Sequence, residues 1–332
     1  MQNKLNTYNS LKKKLFTDFS FEELALEVFN FQYKYNVVYK KFVDHLGISP
    51  QEINNSTSIP FLPIEFFKSE KITCDVGEVT HVFESSGTSD ETNKSKHYIS
   101  DIQLYNYSSL QGFKSFYGDP SRYNILGLLP SYLERENASL VYMVNYLIHE
   151  SGNLGGFFLD DFEQLRQSIL ESKRNQKIPL IFGVSFALLD FAEAFPGDYS
   201  KAIFLETGGM KGRKQEMVRA ELHQVLKNSF HVQNIHSEYG MTEMLSQAYS
   251  SSEGIYTPSK FMRVFVRDVY NPFNTLEDGR GLINIIDLAN LGTCSFIATQ
   301  DVGEVIENNQ FSISGRADNS EIRGCNLMVG DW

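Results

Sequence analysis

Residues 179–205 read PLIFGVSFALLDFAEAFPGDYSKAIFL. Pro179–Val184 is a short apolar run, Phe186–Phe195 is helix-like, and Ala202–Leu205 is a second strand-like run. The alternation extends in both directions. Upstream, Asn124–Leu129 and Gly156–Leu159 read as strands, and Asn137–His149 and Phe162–Ser172 as helices. Downstream, Lys214–Lys227 reads as a helix and Phe230–Ile235 as a strand. Strands alternating with helices imply βαβ crossovers, hence an α/β fold with a mostly parallel sheet and flanking helices. In such sheets ligands bind beyond the carboxyl ends of the strands, so chemistry is expected in the loops that follow them.

The flanks differ in texture. Ser20 and Glu23 form a capping box ahead of Phe21–Leu46, where Leu24, Val28, Phe31, Val38, Phe42 and Leu46 recur at mainly helical spacing and Gly47 is a stop signal. Pro60-Phe61-Leu62-Pro63 cannot continue a helix and reads as an extended connection. After residue 254 the runs Met262–Asp268, Leu282–Asp287, Cys294–Ala298, Gly303–Ile306 and Gln310–Ile313, separated by Gly, Asn and Asp, imply a smaller β-rich subdomain. The expected division is therefore residues 1–253 as the α/β core and 254–332 as the β-rich part.

Composition narrows the function classes. A net charge of −11 argues against a nucleic-acid partner, which requires a basic face. The longest uncharged apolar stretch, Ile178–Leu189, is shorter than the roughly 18 residues a membrane-spanning helix needs. No apolar segment follows Lys12, Lys13 and Lys14, so no secretory signal is expected. Three widely spaced cysteines, Cys74, Cys294 and Cys325, fit a reduced, cytoplasmic protein, and no CxxC pair suggests zinc.

Five segments could carry chemistry. Ser85-Ser86-Gly87-Thr88-Ser89, with Lys94-Ser95 beyond, follows the β-like run Glu78–Phe83; hydroxyls, glycine and backbone N–H groups in such a loop can wrap phosphate oxygens. It is not a Walker A loop, because Asn93 rather than Gly precedes Lys94. Gly208-Gly209 follows Ala202–Leu205 and would let the backbone approach a flat ligand. His236-Ser237-Glu238-Tyr239-Gly240-Met241-Thr242-Glu243, after the strand-like Phe230–Ile235, offers an aromatic face at Tyr239, a hydroxyl at Thr242 and a carboxylate at Glu243, the last a hard-oxygen ligand suited to Mg2+. Asp301, in Thr299-Gln300-Asp301-Val302-Gly303, could accept from two ribose hydroxyls. Arg316, in Gly315-Arg316-Ala317-Asp318, could reach ribose or phosphate. Each also has an ordinary structural use: a polar turn, a strand-to-helix turn, a helix cap, an Asx turn, a surface turn.

The five occur in one order, and that order resembles the adenylate-forming superfamily of acyl-CoA synthetases and related ligases. Within it the chain is most similar to the LuxE-type acyl-protein synthetases, also called long-chain-fatty-acid–luciferin-component ligases. Ser85-Ser86-Gly87-Thr88, Tyr239-Gly240-Met241-Thr242-Glu243, Gln300-Asp301-Val302-Gly303 and Gly315-Arg316-Ala317-Asp318 carry the likeness, with Pro60-Phe61-Leu62-Pro63-Ile64-Glu65-Phe66-Phe67-Lys68 ahead of them. It covers roughly residues 20 to 328, and the YGxTE segment is its most specific signal.

The resemblance implies ATP-dependent activation of a carboxylic acid, a fatty acid in the LuxE-type proteins, to an acyl-adenylate. Transfer to a thiol then gives an acyl-protein thioester. By the same resemblance Ser85, Ser86, Gly87, Thr88 and Lys94 would hold the β- and γ-phosphates. Gly208, Gly209 and Tyr239 would form the adenine slot, with Gly240 in the same segment. Thr242 would touch the α-phosphate, Glu243 would hold Mg2+, and Asp301 with Arg316 would fix the ribose. The acyl-carrying cysteine would be Cys325, beside Arg323, whose charge would favour the thiolate; a small buried thiol is the ordinary alternative. The partner would be an acyl-accepting reductase or a carrier protein.

Two departures stand out. Asp90-Glu91 occupy a place where the family's phosphate loop has a further glycine, and two acids beside phosphates repel them unless Lys94 and Lys96 compensate. The C-terminal subdomain of acyl-CoA synthetases, with its lysine, is expected to be absent, as in the LuxE-type proteins. These departures keep two other functions in view: a catalytically degenerate nucleotide-binding protein, and an ATP-independent acyltransferase using Cys325. An aryl acid is an alternative to the fatty acid.

Overall fold

The computed structural model describes residues 2–85, 94–130, 137–208, 217–268, 271 and 274–317. Two compact units are present: Val79–Ser259 is one, and Met1–Glu78 with Lys260–Trp332 is the other. The boundary near 259 lies close to the division at 253/254 read from sequence, but the N-terminal segment groups with the C-terminal strands.

The discontinuous unit opens with a helix, Gln2–Leu15, that the polar sequence concealed; it buries only Tyr8, Leu11 and Leu15. The expected helical run from Phe21 to Leu46 is two helices, Phe21–Tyr35 and Val37–His45. The capping box forms at Ser20, whose side chain accepts from Glu23 N–H. The break falls at Asn36, whose backbone is extended (φ −93°, ψ 107°). Its carboxamide oxygen accepts from Tyr39 N–H at 3.0 Å and its Nδ2 donates to the Thr293 carbonyl at 2.9 Å. An Asn side chain that bonds the backbone competes with a continuous helix, which is why the periodicity survives but the helix does not. Beyond lies a two-residue strand, β1 (Leu62–Pro63).

The contiguous unit begins with a hairpin of β2 (His81–Glu84) and β3 (Lys96–Ile99). Its sheet contains β4 (Tyr123–Leu128), β5 (Gly156–Phe157), β6 (Ile178–Val184), β7 (Ile203–Thr207), β8 (His236–Tyr239), β9 (Ala248–Ser250) and β10 (Ile255–Pro258). The strand order is β5-β4-β6-β7-β8-β9-β10; β5 to β8 are parallel, and β9 and β10 add as antiparallel neighbours. β4 is buried at every residue, as a strand covered on both faces must be. Successive residues of β8 show the two faces. His236 meets Tyr117 of helix Ile102–Tyr117, and Ser237 meets His223 of helix Arg219–Phe230. On the second face Phe191 packs among Phe162, Phe195, Tyr199, Phe204 and Phe230, with Phe204 and Phe230 stacked at 4.0 Å. This corrects the strand read at Phe230–Ile235. Phe230 ends a helix because its ring completes that aromatic layer, His231 then turns left-handed (φ 53°), and the strand starts at His236.

The discontinuous unit resumes with β11 (Met262–Arg267), β12 (Thr275–Leu276), β13 (Gly279–Asp287), β14 (Phe296–Val305) and β15 (Phe311–Arg316). They pair antiparallel in the order β12-β11-β13-β14-β15, and β1 joins β14 in parallel. The separate runs Cys294–Ala298 and Gly303–Ile306 are one strand, joined through the polar Thr299-Gln300-Asp301. Buried polar side chains fix the N-terminal helices here. Gln32 donates to the Asn290 carbonyl at 3.0 Å and accepts from Ser295 N–H at 2.9 Å, and Asn36 reaches Thr293. Such groups satisfy loop backbone that would otherwise be buried unpaired, so the grouping follows hydrogen bonding rather than chain order.

Among the described residues no helix is long and apolar enough to cross a membrane.

Candidate active site

In the contiguous unit the carboxyl ends of β7 and β8 bring a polar cluster into an apolar sheet. Glu206, Thr207, Ser237, Glu238 and Tyr239 are all buried. Register places Glu206 beside Ser237 and Thr207 beside Glu238, so the acids point to opposite faces. On one face Ser185 Oγ lies 2.8 Å from Glu206 Oε1 and 2.7 Å from the Gly208 carbonyl, and His223 Nε2 is 4.0 Å from Glu206 Oε2. On the other, Thr207 Oγ1 donates to Glu238 Oε2 at 2.5 Å.

Glu238 explains a glycine. A Cβ at position 240 would meet Glu238 Oε1, so a larger residue there requires that carboxylate to move. Burial pushes the Glu238 carboxyl up to about 7; Glu206 adds to the rise and the Thr207 hydrogen bond opposes it. Burial likewise lowers His236 to about 4, its Nδ1 lying 3.0 Å from Tyr117 OH.

Tyr239 ends β8 with 9% of its surface exposed, its ring 5.7 Å from that of Tyr256. Thr242 is half-buried and Glu243 is buried. The Thr242 carbonyl accepts from Nδ1 of His97, a fully buried residue of β3, at 2.8 Å. A carbonyl can only accept, so the proton is on Nδ1; burial holds the ring near pKa 4, and the bond to Thr242 opposes that shift.

Ser85 and Lys94 lie at the neck of the β2–β3 hairpin. Ser85 N–H donates to the Ser95 carbonyl at 3.0 Å, and Ser95 N–H donates to Ser85 Oγ at 2.9 Å. Lys94 and Lys96 face Glu84 at 3.8 and 4.0 Å. Ser86, Gly87 and Thr88, and the acids Asp90 and Glu91, lie outside the described residues, as do Gly209 and Cys325. Gly208 ends the β7 segment with φ 70°, a conformation suited to glycine.

In the other unit Asp301 and Arg316 are register partners on β14 and β15, with Arg316 Nε 3.5 Å from Asp301 Oδ1. Asp301 is buried and Arg316 mostly exposed. A bulge follows: Val302 pairs with Gly315 but Gly303 with Ile313, and a Cβ at 303 would come within 2.1 Å of the Ser312 carbonyl oxygen. Beneath, Arg267 donates to the Thr299 carbonyl at 2.8 Å and Gln300 donates to Glu65. Asp301 is thus held by a braced strand while its guanidinium partner reaches into solvent.

The sequence motifs therefore form three local groups: the hairpin neck, the β7–β8 strand ends, and the β14–β15 pair. Glu206, His97 and Ser185 were not singled out from sequence; Glu238 lay inside a candidate segment but was given no role. For Glu206 a signal existed, since it directly follows the apolar run Ala202–Leu205; for His97 there was none. Among the described residues no group of three or more His, Cys, Asp or Glu side chains gathers to hold a metal. Glu243 alone still fits Mg2+, which takes one or two carboxylates and completes its shell with water and substrate phosphates.

No protein-family model matches the chain, and no curated protein matches it. Solved structures do. A 2-hydroxyisobutyryl-CoA ligase in complex with 2-HIB-AMP and CoA superposes with a TM-score of 0.63 at 12% identity, covering 89% of this chain and 67% of that one. ATP-bound MatB from Rhodopseudomonas palustris gives 0.53 at 14% identity, covering 72% and 48%. A long-chain-fatty-acid-CoA ligase from Archaeoglobus fulgidus gives 0.52 at 14%, covering 72% and 52%. The chain spans about half the length of the latter two structures. At these identities the likeness is one of fold: the chain resembles the N-terminal domain of adenylate-forming enzymes.

Proposed function

We propose that the chain activates a carboxylic acid with ATP. The acid's carboxylate oxygen attacks the α-phosphorus, the bond from that phosphorus to the leaving pyrophosphate breaks, and acyl-AMP and pyrophosphate result. The observation that carries this reading is the position of Tyr239-Gly240-Met241-Thr242-Glu243, which begins with the last residue of β8 and continues beyond the carboxyl end of that parallel strand, in a fold of the adenylate-forming type.

On this reading Thr242 meets the α-phosphate and Tyr239 borders the adenine with Gly208 and Gly209. Ser85 and Lys94 flank the loop, with Ser86, Gly87 and Thr88, that would take the outer phosphates. Asp301 and Arg316 would take the ribose. Glu243 would hold Mg2+, which when bound offsets phosphate charge. The substrate we favour is a fatty acid, and the acceptor a thiol. The Cys325 thiolate would attack the acyl carbonyl carbon and AMP would leave, giving a thioester for a reductase or carrier protein.

The test is carboxylate-dependent exchange of labelled pyrophosphate into ATP, with short to long fatty acids and several aryl acids, and Glu243→Gln as control. Exchange with one acid class, lost in the variant, supports the reading and names the substrate. ATP binding without exchange for any acid refutes it in favour of binding alone. Acylation of Cys325 from an acyl carrier without ATP refutes it in favour of transfer.

A further inference from the structure

We propose that His97 is a positioning residue: its Nδ1–H holds the Thr242–Glu243 segment to the β2–β3 hairpin, so that the two phosphate-facing segments share one anchor. The inference rests on the adenylation reading.

The geometry is specific. His97 lies opposite Phe83 in the hairpin, two residues from the neck formed by Ser85 and Ser95. Its Nδ1 reaches the Thr242 carbonyl at 2.8 Å across 145 positions of sequence. The His97 ring is fully buried, where a neutral imidazole costs less than a charged one and a donor left without a partner is costly. Met241 to Glu243 belong to no strand or helix longer than a turn; beyond Tyr239 the next strand begins at Ala248. A segment without a ladder depends on individual bonds for its position. The Thr242 carbonyl is the backbone group of the residue whose hydroxyl would meet the α-phosphate. The hairpin leads into the loop that would take the outer phosphates. In-line transfer requires those two groups in fixed relation, and errors near 1 Å cost on the order of a hundredfold.

A merely structural histidine would fill space; a positioning one must present a donor at the Nδ1 place. Nδ1 is two bonds from Cβ, as is the amide nitrogen of Asn, whereas that of Gln is three. The experiment compares His97→Asn, His97→Gln and His97→Leu in pyrophosphate exchange. ATP is varied, at a temperature well below each variant's melting midpoint. The expected result is that kcat/KM for ATP falls at least about tenfold in the Leu and Gln variants and recovers to within about threefold in Asn. Equal impairment of the Asn and Gln variants overturns the inference, as does full activity in a folded Leu variant. Should Leu not fold, the Asn–Gln contrast decides. Wild-type protein without exchange for any acid is a separate outcome: it refutes the adenylation reading itself, and this inference with it.

Discussion

Replacing Glu238 by glutamine removes a titration without removing a hydrogen bond. The side-chain oxygen of Gln can still accept from Thr207 Oγ1, and Gly240 still leaves it room. In the wild type the carboxyl is raised from 4.5 to about 7, chiefly by burial. An acid whose folded pKa lies above its unfolded one binds more protons when folded, so stability falls as pH rises between the two values. Below pH 4.5 both states are protonated and Glu238 costs nothing. Above pH 7 the folded protein carries a buried carboxylate, and the shift from 4.5 to about 7 corresponds to a cost of about 3 kcal/mol. Denaturant unfolding of both proteins from pH 5 to pH 8 measures the difference. The variant should lie within about 1 kcal/mol of wild type at pH 5 and gain about 3 kcal/mol on it by pH 8. Any constant offset from the substitution cancels in that slope. Parallel pH profiles would refute the reasoning, because they would mean that Glu238 titrates alike in both states.

Other outcomes follow from the same geometry. Gly240→Ala should displace the Glu238 carboxylate that its Cβ would meet, so its effect on stability should depend on Glu238, and strict additivity with Glu238→Ala in a double-mutant cycle would contradict the steric cause. Asn36→Ala removes a cap and a donor to a buried carbonyl, so unfolding should be easier by about 1–3 kcal/mol, read as a shifted denaturant midpoint. Cys74 and Cys294 are buried, and burial raises both thiols, Cys294 to about 12. Both should therefore resist a thiol reagent in native buffer and react on unfolding, as mass spectrometry of labelled peptides would show.

The alternation around residues 179–205 sufficed to place a parallel sheet. Apolar runs bounded by turns report burial on both faces, a local property of the chain. The motif segments were legible for a similar reason: clusters of Gly, Thr, Asp and Arg offer backbone freedom and donor chemistry that neighbouring residues state, although Asp301 and Arg316 stand within strands rather than in the turns their composition suggested. Boundaries were less legible where a side chain answers to something distant. Phe230 has strand-like neighbours yet ends a helix, because Phe204 offers it a stacking partner. Asn36 interrupts a helical period because Thr293 takes its amide.

By itself, then, the sequence determined the class of fold, the order of the motif segments and the chemistry each could offer. The tertiary structure alone decided that the N-terminal helices belong with the C-terminal strands, that Glu238 is held off its usual pKa, and that His97 meets Thr242. The reason is one of range. Propensity, capping and periodicity act over a few residues, whereas desolvation and buried hydrogen bonds depend on groups brought together from far along the chain.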